Sequence, residues 1–139
     1  MPGLVGTDAY YHESQDTVAT QLTAGAVGTT AAGTIAGTTN AGAAPTVTVT
    51  YATDRRGNFL LNPVTGGGAQ AAGKVCSVFF AKPYPKVPAA VTVSMMNETD
   101  GTATIVAAAS VATVAGFDIY VGTALTTAKA YRIHYSVAA

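Results

Sequence analysis

The chain has 139 residues, of which 49% are hydrophobic and only 10% are charged. Seven Lys and Arg residues balance seven Asp and Glu residues, so the formal net charge at pH 7 is zero. Because a neutral chain without a basic cluster lacks the electrostatic attraction that phosphate backbones require, the composition argues against a nucleic-acid partner. Low charge also favours association over dispersal, and we expect neighbouring proteins to cover much of the surface.

The cysteine and histidine content and the hydropathy of the chain argue against a disulfide, a metal site and a membrane segment. The single cysteine, Cys76, has no intramolecular disulfide partner. The sequence opens without a basic and apolar leader pattern, and its apolar runs fall short of the roughly 20 residues of a membrane span, so we expect neither a signal peptide nor a membrane partner. His12 and His134 are far apart in sequence and lack paired carboxylates, a pattern unlike that of metal ligands. We predict no metal and no cofactor.

Residues 1–45 differ in composition from the rest of the chain. Residues 23–45 are almost wholly Gly, Ala and Thr. Such side chains bury too little area to offset the entropy of ordering the backbone, about 1–2 kcal/mol per residue. We therefore predict an extended N-terminal arm over residues 1–45. It is either a plain flexible linker or a segment that becomes ordered against a partner, with Val27 and Ile35 as shallow anchors.

The most polar part of this arm, residues 8–21, contains two adjacent tyrosines, Tyr10 and Tyr11. Tyrosine supplies a large contact area at a low entropic cost and is enriched at protein interfaces. The stretch is either a short element that docks on a partner or a loose turn.

Residues 46–139 show the period-two alternation of β-strands. Strands are predicted at residues 46–51, 59–61, 75–80, 91–95, 104–111, 117–121 and 131–137. Residues 107–109 are all Ala and fit helix or strand; we favour strand because Gly101 and Gly116 bracket the segment. Between the first two strands, residues 54–58 read as a turn in which Gly57 is available to take up any positive φ.

Short strands separated by turn residues predict an all-β fold, an antiparallel β-sandwich of the jelly-roll type that occupies residues 46–139 and follows the arm. The inward-facing side chains are predicted to be apolar or aromatic and to form one core: Val49, Phe59, Leu61, Cys76, Val78, Phe80, Val91, Val93, Phe117, Ile119, Tyr131, Ile133 and Tyr135.

A proline-rich crossing joins the two strands at the centre of this pattern. Pro83, Pro85 and Pro88 remove three backbone donors within six residues and favour extended geometry. We predict that residues 82–86 project rigidly from the end of the sandwich. Lys82, Tyr84 and Lys86 are then the residues of this crossing that contact a partner.

The sequence contains little that indicates a catalytic site. His134 lies on the face of its strand opposite the tyrosines and has no acid or cysteine at a defined spacing. Cys76 lies mid-strand on an apolar face, where a thiol behaves as a small hydrophobe. Gly66–Gly68 lacks the Lys-Ser/Thr and the helix of a phosphate-binding loop and reads as a turn. We expect a protein that is not an enzyme.

Several motifs follow one another in a recognisable order. They are an Asp54-x-x-Gly57 turn, V-x-x-V-x-F at residues 75–80, the proline crossing, V-x-V-S-x at 91–95, G-F-x-I at 116–119 and an aromatic strand at 131–135. Over residues 51–139 this order resembles a β-sandwich module of tailed-bacteriophage virion proteins, used as a capsid decoration (minor head) protein or as the terminal module of a tail fibre. The resemblance implies a homo-oligomer, with a trimer as the expected state.

Two functions follow from the resemblance. The first is a decoration subunit on the capsid surface of a virion, made in the host cytoplasm, whose partners are the major capsid protein or other virion proteins. The second is a tail-fibre knob that binds a host receptor through exposed aromatics such as Tyr84 and Tyr120 and through the loops at residues 97–101 and 122–128.

Overall fold

A computed structural model describes residues 18–63, 70–110 and 112–138. Two short 3-10 helices lie at Val18–Thr20 and Thr39–Ala41. The strands of the described chain are β1 (Thr23–Ala24), β2 (Thr34–Gly37), β3 (Thr46–Ala52), β4 (Arg56–Asn62), β5 (Gly73–Phe79), β6 (Ala90–Asn97), β7 (Thr102–Ile105), β8 (Ala107–Ala109), β9 (Gly116–Val121) and β10 (Tyr131–Ala138).

The strands form two five-stranded sheets. The first sheet has the order β1-β2-β5-β9-β8, and the second has the order β3-β4-β10-β6-β7. All neighbouring strands are antiparallel except β1 and β2, which are parallel. The two sheets pack face to face, which confirms the predicted all-β sandwich. The preference for strand over helix at residues 107–109 is confirmed, but the single strand predicted at residues 104–111 is wrong, because β7 and β8 are separate strands in different sheets.

The core lies between the sheets and is joined across them by aromatic rings. The ring centroids of Phe117 on β9 and Tyr135 on β10 are 5.3 Å apart in an edge-to-face arrangement. Phe80 lies 6.0 Å from Phe117, and Phe59 lies 6.3 Å from Tyr135. Such ring pairs contribute about 0.5–1.5 kcal/mol each beyond the area that they bury.

Most of the predicted inward set is buried: Phe59, Leu61, Cys76, Val78, Phe80, Phe117, Ile119, Tyr131, Ile133 and Tyr135. Val49, Val91 and Val93 differ, because they are only half-buried and pack against the edge of this core. Val49 lies on β3, an edge strand of the second sheet, and the two others lie on β6, one strand from the opposite edge. Within the described chain β7 pairs with β6 only from Met95 to Asn97, so Val91 and Val93 have a paired strand on one side only.

The predicted arm is wrong for the part of it that the structure describes. Residues 18–45 belong to the sandwich, because β2 pairs with β5 along four residues and β1 pairs with β2. Ile35, predicted as an anchor for a partner, has no exposed surface and pairs with Val78. Leu22 and Ala41 are also buried in the core. The predicted boundary at residue 45 therefore does not separate two units, and residues 1–17 lie outside the described residues.

The composition of residues 23–45 has a physical use that the arm prediction missed. Small side chains let this backbone approach others closely: a Cβ on Gly37 would lie 2.7 Å from Cγ of Pro45. The backbone of the segment is ordered through hydrogen bonds such as Thr38 N to Val75 O and Gly33 N to Phe79 O. Backbone hydrogen bonds to β5 therefore compensate for the conformational entropy lost when this segment is ordered, which burial of its small side chains alone would not do.

Two local features of β3 and β4 also depart from the sequence pattern. A β-bulge at Thr50 shifts the pairing from Val49 opposite Phe59 to Tyr51 opposite Asn58. The extra residue turns Tyr51 from the inward face to the outer face, where 41% of it is exposed. Gly57 lies inside β4 without a positive φ, so the predicted turn role for it is wrong.

Candidate functional site

Asp54 lies in the turn between β3 and β4 and ties this turn to the segment that follows β5. Its Oδ1 accepts a hydrogen bond of 2.7 Å from the backbone amide of Ala81, and its Oδ2 accepts one of 2.9 Å from the amide of Lys82. Asp54 is buried, and desolvation raises the pKa of its carboxyl group to about 6 although both amides and the Lys82 charge act in the opposite direction. One carboxylate thus joins the end of the second sheet to the end of the first.

Tyr84 is buried at the same place, so the prediction that it is exposed is wrong. Only 3% of the residue is exposed, and its ring packs edge-on against Phe80 with centroids 4.9 Å apart. Its hydroxyl donates to the carbonyl of Asp54 at 2.9 Å, and its amide donates to the carbonyl of Val114 at 3.0 Å. The proline-rich crossing therefore folds back over the end of the core instead of projecting from it.

Lys82 and Lys86, the other two residues predicted in this crossing, are exposed. Arg55 and Arg56 follow Asp54 directly in the chain and are exposed as well. Because Asp54 holds the amide of Lys82, the β3–β4 turn and the crossing present their basic residues at one end of the sandwich. We call this surface, formed by Arg55, Arg56, Lys82 and Lys86, the basic end.

The remaining predicted contact residues are not brought to the basic end. Val27 is 37% exposed and lies beside Gly28, whose amide donates to Gly37 O on β2. Gly37 pairs with Cys76 at the middle of β5, three residues before the end of the strand from which the crossing leaves. Ile35 is in the core. Tyr10 and Tyr11 lie outside the described residues, so their predicted docking role stays a prediction.

A second surface is the outward side of the second sheet, on which exposed short polar side chains surround His134. We call it the outer face; it includes Thr48, Thr50, Tyr51, Arg56, Asn58, Thr92, Ser94, Met96, Arg132, His134 and Ser136. Three shallow depressions of about 510, 420 and 210 Å³ border His134. The largest is lined by Tyr51 and Arg56, whose guanidinium carbon lies 5.5 Å from the centroid of the tyrosine ring.

Arg132 fixes one side of the outer face. Its guanidinium pairs with both carboxylate oxygens of Glu98 at 2.7 and 3.2 Å and donates to Thr50 Oγ1 at 2.8 Å and to Asn58 Oδ1 at 2.9 Å. Arg132 lowers the pKa of Glu98 through the side-chain hydrogen bond. The sequence analysis missed this network, since its members come from β3, β4, β10 and the turn after β6, which the strand pairing of the second sheet brings together.

Cys76 is fully buried, and burial raises the pKa of its thiol. Within residues 18–63, 70–110 and 112–138, no three His, Cys, Asp or Glu side chains are grouped so as to hold a metal ion. Nor does any helix in this part of the chain have the length and apolar character needed to cross a bilayer.

The described chain thus has two surfaces with exposed hydrogen-bonding groups, the basic end and the outer face. Comparisons of the sequence and the structure with protein-family models, with curated proteins and with solved structures yield no match.

Proposed function

We propose that this chain is a non-enzymatic structural protein of a bacteriophage virion, which decorates the capsid and stabilises it. The observation that carries the proposal is the composition of the outer face. Thr and Ser predominate there, with Tyr51, Met96 and Arg56 among them. Protein interfaces are enriched in Tyr, Met and Arg, all of which the outer face presents, and depleted in Lys, Asp, Glu and Ser, of which it contains only two Ser residues.

The geometry of the outer face supports a macromolecular partner. Its depressions are shallow, whereas sites for small molecules enclose most of their ligand. Tyr51 and Met96 are 41% and 38% exposed and supply apolar area that a partner would bury. The rigid sheet beneath them holds these side chains in place, which lowers the entropy cost of binding.

A decoration protein stabilises a capsid by mass action. If the chain binds assembled capsid proteins and not the separated ones, each bound copy shifts the equilibrium toward the assembled shell. Neither a cofactor nor catalytic chemistry is needed for this effect. The phage module that residues 51–139 resemble supplies the identity of the partner, the major capsid protein or another virion protein.

The direct test is binding to purified heads of the phage that encodes the chain. We expect saturable co-sedimentation with the heads and, in cryo-electron microscopy, additional density that repeats over the head lattice. Absence of the chain from the head surface at saturating concentration would contradict the proposal. Light scattering of the free protein tests the homotrimer that the resemblance implies.

Matched substitutions locate the binding surface. Tyr51→Ala combined with Met96→Ser is expected to weaken co-sedimentation by tenfold or more, as expected when two central interface side chains costing about 1 kcal/mol each are removed. Tyr120→Ala is the control, because Tyr120 is also 41% exposed on a strand but lies on β9 of the first sheet. Equal losses in the two variants would exclude the outer face as the binding surface.

The depression beside Tyr51 favours a second candidate, a tail-fibre knob that binds a host receptor. An exposed aromatic ring next to a guanidinium, an amide and an imidazole, from Arg56, Asn58 and His134, is a set of groups that stacks on and hydrogen-bonds to a sugar. Density at the tail tip and not over the head lattice would support this function and contradict the first.

A further inference from the structure

The structure describes two of the three methionines of the chain, and these two are adjacent residues on opposite faces of β6. Met95 is 1% exposed and lies in the core, where it pairs with Ile133 of β10. Met96 is 38% exposed and lies on the outer face. Because a thioether is oxidised only when an oxidant reaches its sulfur, we expect Met96 to react in the folded protein and Met95 to be protected.

The surroundings of Met96 offer a donor to the oxygen of a methionine sulfoxide. Met96 lies opposite Arg132 on β10, and both line the depression of about 420 Å³. The two hydrogen bonds of Arg132 to Glu98, with those to Thr50 and Asn58, use four of its five N–H groups. In the part of the chain that the structure describes, the second N–H of Nη2 has no acceptor. A sulfoxide oxygen on the neighbouring side chain of Met96 can accept from this group.

We infer that Met96 is an oxidation site that controls binding at the outer face, an inference that rests on the function proposed above. The reactant is a hydroperoxide, whose terminal oxygen is transferred to Sδ of Met96. The O–O bond breaks and an S–O bond forms, and the sulfur loses two electrons. The proton of the transferred oxygen moves to the leaving oxygen, so the peroxide is reduced to water or to an alcohol.

The oxidised side chain changes the apolar part of the outer face. Unmodified Met96 supplies apolar area that a partner buries, whereas the sulfoxide is polar and must give up water at an interface. A hydrogen bond to Arg132 also draws the end of the side chain into the depression and away from the partner. Oxidation is therefore expected to weaken binding about tenfold. The fold stays intact, because Met96 does not belong to the core.

Mass spectrometry of the full-length chain after brief treatment with hydrogen peroxide locates the reaction. Fragment ions that divide the chain between Met95 and Met96 measure the two sulfoxides separately. We expect Met96 to be oxidised at least about tenfold faster than Met95 in native buffer, and the two rates to become similar in denaturant. Similar rates in native buffer would overturn the assignment of the site.

Co-sedimentation with phage heads, after the peroxide has been removed, measures the effect on binding. The oxidised wild type should bind about tenfold more weakly than the untreated protein, and a methionine sulfoxide reductase should restore binding. Met96→Leu keeps an apolar side chain that peroxide does not oxidise, so its binding should not respond to the treatment. Met95→Leu, a conservative change in the core, should respond as the wild type does.

The outcomes separate this inference from the proposed function. If the oxidised wild type binds the heads as tightly as the untreated protein, oxidation of Met96 does not control the outer face and the inference is overturned. If the untreated protein does not sediment with the heads, the proposed function is contradicted. The mass spectra decide in either case whether Met96 is the oxidised residue.

Discussion

The ring of Tyr135 lies directly over Gly57, its partner on the neighbouring strand β4. A Cβ at position 57 would be 2.1 Å from Cε1 of that ring, and the Tyr135 hydroxyl donates to the carbonyl of Thr53 at 2.6 Å. The ring therefore fills the space of the missing side chain and fastens the end of β3. The next ring in the core, Phe117, rests on it from the other sheet.

Gly57→Ala is expected to lower the free energy of unfolding by about 1–3 kcal/mol, because the new methyl group forces the buried Tyr135 ring to move. Denaturant unfolding of the two proteins measures the difference. Gly122→Ala is the control, since a Cβ at Gly122 would have no atom within 4 Å, and its effect should stay within about 0.5 kcal/mol. Equal stabilities of Gly57→Ala and the wild type would contradict the packing described here.

Asp54→Ala should lower the free energy of unfolding by about 2–4 kcal/mol, because it leaves the amides of Ala81 and Lys82 without their acceptor. Denaturant titration followed by tyrosine fluorescence tests this change. Asp100→Ala removes an exposed carboxylate at the other end and should cost less than about 1 kcal/mol. A similar small loss in both variants would show that Asp54 does not join the two sheets.

The raised pKa of Asp54 predicts a pH dependence of stability. An acid whose pKa is higher in the folded state than in the unfolded chain binds its proton more tightly when folded, so its contribution is fully present below about pH 4 and is lost as the pH rises through about 6. The change is at most about 3 kcal/mol. The unfolding free energy of the wild type, relative to that of Asp54→Asn, should therefore fall as the pH rises from about 3.5 to about 7. A constant difference between them would contradict the assignment.

Cys76 is expected to react with a thiol reagent only when the protein unfolds, because the thiol is fully buried and its pKa is raised by desolvation. In native buffer the labelling rate should rise with denaturant in parallel with the unfolded population. Fast labelling that does not depend on denaturant would show that the β5–β9 region of the core opens locally.

Ile35→Ala should destabilise the protein by about 2–5 kcal/mol, the range for removing a fully buried aliphatic side chain. Val27→Ala, at an exposed position of the same Gly/Ala/Thr-rich segment, should change stability by less than about 0.5 kcal/mol. Deleting residues 1–45 removes β1 and β2, so we expect the remaining chain to lose its cooperative unfolding transition. A stable, cooperatively folded fragment would instead support the separate N-terminal arm predicted from composition.

The strands of residues 46–138 are readable from the sequence because their alternation is strong and local. Tyr131, Ile133, Tyr135 and Val137 alternate with polar residues along β10, and all four are buried. A strand with one buried face must show this pattern whatever its neighbours are. The candidate surfaces were only partly predictable: Lys82 and Lys86 are exposed as expected, while the outer face and its Arg132 network depend on register between strands that are distant in sequence.

The sequence by itself determined the all-β class, most of the core and the charge distribution, because each of these follows from the identity and local spacing of side chains. Tertiary structure alone decided that Ile35 and Tyr84 are core, that Asp54 joins the two sheets and that Tyr51 faces outward. Each of these depends on a contact between residues that are distant in sequence or on a single β-bulge. The hydrogen bond from Ala81 to Asp54, for example, joins residues 27 positions apart. Composition does not reveal such contacts. A segment of small side chains becomes ordered because of the free energy gained by pairing with a neighbouring strand, and its own composition does not say which strand that is.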